Sequence, residues 1–177
     1  MRRILIVGMS GSGKTTAARR VARRLGLPFH EMDVLAIGPG WSIRDTLVDE
    51  VDVIVRAPGW VFDSWGYPPV RDMMWAAADT VVWLDYPRRV VLPRLLRRSL
   101  SRTWRRERLF GGNVERWRGW LEPSHPLWFA VRTFQERRKY LAERTGRSTR
   151  LRVVRLRAPR EFEAWLENGL PGESGGR

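Results

Sequence analysis

The segment Gly8-Met9-Ser10-Gly11-Ser12-Gly13-Lys14-Thr15 constrains this chain more than any other. It meets the pattern G-x-x-x-x-G-K-[ST] in full, directly after an aliphatic run at residues 3–7 and directly before a helical pattern. A strand that runs into such a turn and then a helix points successive backbone N–H groups at one place. The result is an anion nest backed by the positive end of the helix dipole. Lys14 then reaches the β- and γ-phosphates of a nucleoside triphosphate, and the Thr15 hydroxyl is placed to ligate Mg²⁺. The expected cofactors are ATP and Mg²⁺. The expected contacts are Gly8, Ser10, Gly11, Ser12, Gly13, Lys14, Thr15 and Thr16.

The rest of the chain alternates strand and helix patterns. Residues 14–25 carry Ala17, Ala18, Val21, Ala22 and Leu25 at helical spacing, and Gly26 stops the helix. A second strand is expected over residues 28–33, then a helix over 42–51 with Ser42 as N-cap and Asp45 three residues on. Residues 59–63 and 80–85 read as the third and fourth strands, with a helix over 70–78 between them. Pro87 opens the next helix, which Pro93 should kink or restart. Residues 101–125 read as irregular, broken by Gly111-Gly112-Asn113 and Pro123. A long helix over 126–144, a strand over 151–156 and a helix over 159–167 complete the pattern. This alternation means an α/β fold with a mostly parallel sheet, whose ligands bind at the carboxyl ends of the strands. Residues 1–169 are expected to be one domain, with 170–177 a disordered tail.

Composition narrows the function classes. A chain of 177 residues has room for a full core, and no apolar run approaches the roughly 20 residues that span a bilayer. The apolar run at residues 4–7 is too short for a signal peptide, so a cytoplasmic protein is expected. The absence of cysteine excludes disulfides, thiolate metal sites and a cysteine nucleophile. The net charge of +14 is unevenly spread: residues 86–157 hold 21 basic and five acidic side chains, whereas residues 1–85 hold ten of each. That excess, nearly all arginine, suits a clamp on substrate phosphates. It also suits a nucleic-acid or membrane surface, or simple compositional bias.

A phosphotransferase also needs an acid near the metal and a group that orients or deprotonates the attacking hydroxyl. Glu31 and Asp33 fall two residues apart and would share one side of an extended strand. Asp33 is the leading candidate for the acceptor base. Asp63 competes, either orienting substrate or holding a metal-bound water. Asp85 is read as a cap of the following helix. His30 and His125 stand alone and make neither a metal cluster nor a catalytic dyad.

The order of strand, Gly8–Thr15, helix, Leu25-Gly26-Leu27-Pro28 and Asp33 resembles the adenylate-kinase-like nucleoside and small-molecule kinases. Within that group the chain is similar to the bacterial DNA topology modulation proteins. The matching pieces are Pro39-Gly40-Trp41, Gly59-Trp60-Val61-Phe62-Asp63, the run from Ala78 to Asp85 and the helix around Arg94 and Arg98. After Asp63 the chain reads Ser64-Trp65-Gly66-Tyr67, where relatives continue with glycine and then tyrosine two residues on. The resemblance implies a P-loop NTPase fold: three layers, α/β/α, around a five-stranded parallel sheet in the order 2-3-1-4-5. It also implies ATP, Mg²⁺ and an arginine-bearing helical lid, here about residues 94–125.

Lid arginines stabilise a phosphoryl group in flight once water is excluded. Arg98 and Arg102 are the expected catalytic pair beside Lys14 and Asp33, and Arg160 stands where relatives place the adenine loop. Trp41, with Asp33 and Asp63, is expected on the acceptor side; Trp60 and Trp65 fit either that pocket or the core. The function these readings imply is transfer of the ATP γ-phosphate to a small nucleotide, nucleoside or metabolite. The alternative is an ATP-binding regulator whose basic second half contacts nucleic acid, for which Trp104, Trp117, Trp120, Trp128 and Phe129 offer a stacking surface. On the first reading those rings are core or lid packing.

Overall fold

The computed structural model describes residues 1–122, 125–147 and 149–170. Its centre is a parallel sheet of β1 (Arg3–Gly8), β2 (Phe29–His30), β3 (Trp60–Phe62), β4 (Thr80–Leu84) and β5 (Arg152–Leu156). The strand order is β2-β3-β1-β4-β5, as expected. Alternate residues of each strand face opposite layers. Ile4, Ile6, Val61, Val82 and Leu84 join one core, completed by α1 (Lys14–Leu25) and α7 (Pro159–Asn168). Leu5, Val7, Trp60, Phe62, Val81 and Trp83 join the other, under α3 (Leu47–Arg56) and α4 (Pro68–Ala77). Both faces are covered, which is why β1 and β4 read as unbroken aliphatic runs.

Three expected elements are corrected. The second strand stops at His30, because Met32 N–H is captured by the Asp63 carboxylate at 2.9 Å instead of joining the sheet. Met32 then opens the short helix α2 (Met32–Ala36), so Asp33 sits in a helical first turn and shares no strand face with Glu31. Ser42 caps no helix: its hydroxyl donates to Pro39 O at 2.9 Å, Ile43 bridges back to Ile37, and α3 begins only at Leu47. Third, α5 (Arg88–Arg105) runs through Pro93 and into the stretch expected to be irregular. Val91, Leu95, Ser99 and Thr103, spaced by four, form a buried stripe, while Pro93 faces solvent. Burial of that stripe outweighs the one backbone hydrogen bond a proline removes.

The long helix α6 (Pro126–Gly146) packs against α5 through Leu127 and Ala130, and lends Phe134 to one core and Leu141 to the other. No helix of the described residues is long and apolar enough to cross a membrane. The expected breaker Pro123 and the tail from residue 171 lie outside the described residues; Gly169 and Leu170, just before it, close α7.

Candidate active site

The turn that follows β1 opens onto a cleft of about 860 Å³. Its floor is the turn between β1 and α1. Gly11 there has φ 87°, and a Cβ would collide with the backbone of Val91 on α5, so the residue must be glycine for both reasons. Gly13 lies at the N-cap of α1 with φ 87° and no obstruction above it. Gly11, Gly13, Lys14, Thr15 and Thr16 all line the cleft. Ser12 does not: its hydroxyl is buried beside Gly8 and its N–H bonds Met9 O at 3.0 Å.

Lys14 donates to Met9 O at 3.1 Å. Burial, aided by the nearby charges of Arg98 and Arg137, lowers its pKa to about 8, against the opposing pull of Asp63 and Asp33. An ammonium held in so costly a state gains much from an arriving polyanion.

Asp63 follows β3 and is 7% exposed. One carboxylate oxygen accepts from Met32 N–H at 2.9 Å and the other from the Thr15 hydroxyl at 2.5 Å. Burial raises its pKa, while those two donors and Lys14 pull the other way. The sequence-expected Thr15 and Asp63 therefore meet at one point, 48 residues apart in the chain.

On the far side, Asp33 is exposed and accepts from the Tyr67 hydroxyl at 2.9 Å. Burial, then the Asp33 charge, holds the Tyr67 phenol well above its ordinary range, so it remains a donor. Glu31 also lines the cleft, tied to Arg19 at 2.5 Å; burial and the Asp63 charge raise its pKa. Trp60 is wholly buried in the core. Trp65 stands between the guanidinium groups of Arg71 and Arg137, at 5.7 and 4.9 Å from its ring centre. Trp41 is 48% exposed and lines a second hollow with Asn113, Glu115 and His125 rather than the cleft beside Lys14.

The wall opposite the turn is arginine. Arg94, Arg97, Arg98, Arg102 and Arg108 line the cleft, the first three on one face of α5 as expected. Arg98 reaches solvent at its surface, yet neighbouring protein and the charge of Arg102 lower its pKa. Arg102 lies 3.6 Å from the buried Glu115. Beyond α5 the loop doubles back, Arg108 bridging to Val114, and docks on the Gly38–Trp41 turn. Asn113 makes this clasp: its amide N–H donates to Gly38 O at 2.8 Å and its carbonyl accepts from Trp41 N–H at 3.3 Å. Gly111, with φ 63°, lies against the Gly38 backbone, where a Cβ has no room.

Other expected residues fall elsewhere. Arg160 is exposed in the first turn of α7 and is not among the residues lining the cleft. Asp85 does not cap α5, whose N-cap is Pro87; its carboxylate is gripped by Arg138 at 2.7 Å and Arg155 at 2.6 Å. Trp120 packs against His125 and bonds Thr103, but Trp104 and Trp117 are 78% and 53% exposed beside Arg106, Arg116 and Arg118. Sequence reasoning missed Arg71, Arg137 and the clasping role of Asn113. One signal was present: Arg71 follows Tyr67 by one helical turn, and Arg137 precedes Tyr140 by three residues on α6.

Known proteins resemble the first part of the chain in sequence and the whole of it in fold. The model of the ATPase family associated with various cellular activities matches residues 4–47. A shikimate kinase of Syntrophus aciditrophicus (strain SB) is 42% identical over 62 residues, 34% of this chain and 28% of that protein. The chain thus matches less than a third of the length of the curated relatives found. Whole-chain likeness appears among solved structures. A shikimate kinase from Acinetobacter baumannii, in complex with shikimate, has a TM-score of 0.58 at 16% identity, covering 96% of this chain and 91% of that one. A gluconokinase from Sinorhizobium meliloti 1021 has a TM-score of 0.51 at 20% identity, covering 94% and 91%. The fold is that of small-molecule P-loop kinases.

Proposed function

We propose that this protein transfers the γ-phosphate of ATP to a hydroxyl of a small metabolite. The observation that carries the reading is the meeting of Thr15 and Asp63 beside the desolvated Lys14, in a cleft whose opposite wall is arginine. The backbone of Gly8–Thr15, with Thr16, receives the phosphates, and Lys14 bridges the β- and γ-groups. Arg160 is assigned to the adenine side.

The residues fit a magnesium ion. Asp63 is a buried carboxylate whose direct partners are one hydroxyl and one amide, and none is a cation. Among the described residues no group of three or more His, Cys, Asp and Glu side chains gathers to hold a metal, here or elsewhere. Mg²⁺ is commonly held by one or two carboxylates together with substrate phosphates and water, which suits Thr15 with Asp63 acting through a water. Bound there, the ion would supply positive charge that offsets the charge of the phosphates.

Asp33, oriented by the Tyr67 hydroxyl, accepts a hydrogen bond from the acceptor O–H. The acceptor oxygen attacks the γ-phosphorus, the bond from that phosphorus to the bridging oxygen breaks, ADP leaves, and the proton passes to Asp33. Arg98 and Arg102 meet the charge on the equatorial oxygens, and the Asn113 clasp docks the lid on the Gly38–Trp41 turn. The shikimate kinases and gluconokinase with this fold support a small hydroxylated acceptor.

The test is ADP release from Mg²⁺-ATP across a panel of hydroxylated metabolites, nucleosides and nucleoside monophosphates, with Lys14→Met as control. Turnover with one small acceptor, abolished in the variant, is expected. A second reading follows from the motif order shared with the DNA topology modulation proteins and from the exposed Trp104 and Trp117 among arginines. It predicts ATP hydrolysis only with nucleic acid, falling steeply with salt.

A further inference from the structure

The second hollow, of about 770 Å³, lies where the lid docks on the Gly38–Trp41 turn, and among the described residues it shares no lining side chain with the cleft beside Lys14. Two ionisable groups line it that the proposed reaction does not use. Glu115 and His125 are 9% and 6% exposed, and each leaves one buried polar atom, Oε2 and Nε2, without a hydrogen-bond partner among the described residues. Leaving such an atom unpaired costs stability, so each points to something that completes it. The other atoms of the two groups fix what that is. His125 Nδ1 accepts from Leu127 N–H at 3.3 Å, at the N-cap of α6, which leaves the ring proton on Nε2. Burial lowers the imidazole pKa, which favours this neutral form, and Trp120 packs on the ring with 4.6 Å between centres. Glu115 meets Arg102 through Oε1 at 3.6 Å, so Oε2 remains an acceptor.

The hollow thus presents one N–H donor and one carboxylate acceptor that are not bonded to each other. A metal ion does not suit it, because Nε2 carries a proton rather than a free lone pair. A cationic amine does not suit it either: Arg102 offsets the Glu115 charge, and the exposed Arg116 and Arg118 line the same hollow. The third feature is Trp41. Its φ of 62° is a conformation that side chains other than glycine rarely adopt, and Asn113 holds it by accepting the Trp41 N–H at 3.3 Å. The fold therefore maintains a strained tryptophan whose ring stays 48% exposed along the hollow instead of joining the core. A flat aromatic face beside one donor and one acceptor is the complement of a nucleobase, which stacks by its face and sets an N–H next to a ring nitrogen or carbonyl on its edge.

We infer that this hollow binds the base of a free nucleoside or nucleotide, stacked on Trp41, with a base N–H donating to Glu115 and a ring nitrogen or carbonyl oxygen accepting from His125. Trp41 belongs to the turn and Glu115 to the lid, so an occupant tightens the docking that Asn113 makes and, through Glu115, bears on Arg102 in the cleft. The site is separate from the transfer reaction, and its test does not depend on turnover. The protein would be saturated with Mg²⁺ and a non-hydrolysable ATP analogue, so that the phosphate-binding turn is filled. Adenosine and cytidine would then be titrated separately by calorimetry. Saturable binding of one of them is expected, weakened about tenfold or more in Glu115→Met and in Trp41→Ala. His125→Asn, which keeps an acceptor for Leu127 N–H but has no Nε2, should weaken it about fivefold. The N-dimethylated form of the same nucleoside, which has no amino N–H, should bind about tenfold more weakly to the wild type. Nucleoside binding should also slow hydrogen exchange in residues 38–43 and 106–116 of the wild type and leave it unchanged in Trp41→Ala. Circular dichroism and retained analogue binding verify the fold of each variant. No saturable binding by either nucleoside, equal binding by the three variants, or binding of a single-stranded oligonucleotide alone overturns the inference. Nucleoside binding without turnover of any acceptor would keep this site and defeat the kinase reading. Turnover of an acceptor without nucleoside binding would do the reverse.

Discussion

On the proposed reading the cleft has a nucleotide side and an acceptor side, and the two are built in different ways. The first is the contiguous turn Gly8–Thr15, of which Gly11, Gly13, Lys14 and Thr15 line the cleft, fixed by one strand and one helix. The second is gathered from Asp33 on α2, Tyr67 before α4, Arg71 on α4 and Arg137 on α6, joined only by tertiary packing. Backbone recognition of phosphate admits little variation. Side chains collected on four separate segments can be exchanged one at a time, so the proposed function keeps chemistry on one side and sets selectivity on the other.

If that division holds, substitutions on the nucleotide side should cost turnover with every acceptor, and those on the acceptor side should alter selectivity. The largest effect is expected for Lys14→Met: a loss of about 10³-fold or more in kcat for any acceptor, read by ADP release. Asp63→Asn should follow with a loss of roughly 10- to 100-fold, partly recovered at higher Mg²⁺. A pH titration sharpens the same side. With a Lys14 pKa of about 8 in the free protein, the ammonium is lost as pH rises through 8, and bound phosphates restore it. Affinity for the ATP analogue should therefore fall about tenfold from pH 7 to pH 9 in the wild type and stay flat in Lys14→Met. A flat wild-type profile would show that Lys14 is not held so low.

Asn113→Ala tests the clasp between the two sides. It removes the bonds to Gly38 O and Trp41 N–H, so hydrogen exchange in residues 106–116 should accelerate several-fold while the sheet stays protected. The smallest kinetic effect belongs to Asp85→Ala. It should destabilise the fold by about 2 kcal/mol through the loss of Arg138 and Arg155 as partners, and leave kcat near wild type. A large kinetic loss there would break the division, since the site touches neither side.

The same contrast explains what the sequence revealed. The alternation of strands and helices and the Gly8–Thr15 turn were legible because aliphatic runs and a contiguous motif encode them locally; the strand order came from the family resemblance, and Asp63 was one of two candidate acids whose bond to Thr15 only the fold shows. The end of β2 was not: His30 to Asp33 reads as strand until the Asp63 carboxylate, about thirty residues on, takes Met32 N–H and starts a helix. The same holds for α5, where Pro93 signals a break that the buried stripe from Val91 to Thr103 overrides. Asp85 looked like a cap because its partners, Arg138 and Arg155, lie more than fifty residues away. The gathering of Arg71 and Arg137 at Trp65 was invisible for that reason too, since Arg137 reaches that ring only in the folded chain.

The most direct measurement is to follow the γ-phosphate itself. Terminally labelled ATP would be incubated with Mg²⁺, the protein and a mixture of hydroxy acids, sugar phosphates and their neutral counterparts, and the products separated. Label recovered in a phosphate ester of one small molecule, in proportion to ADP formed and absent with Lys14→Met, is the predicted result. Label found only as inorganic phosphate, and only when nucleic acid is present, would contradict it.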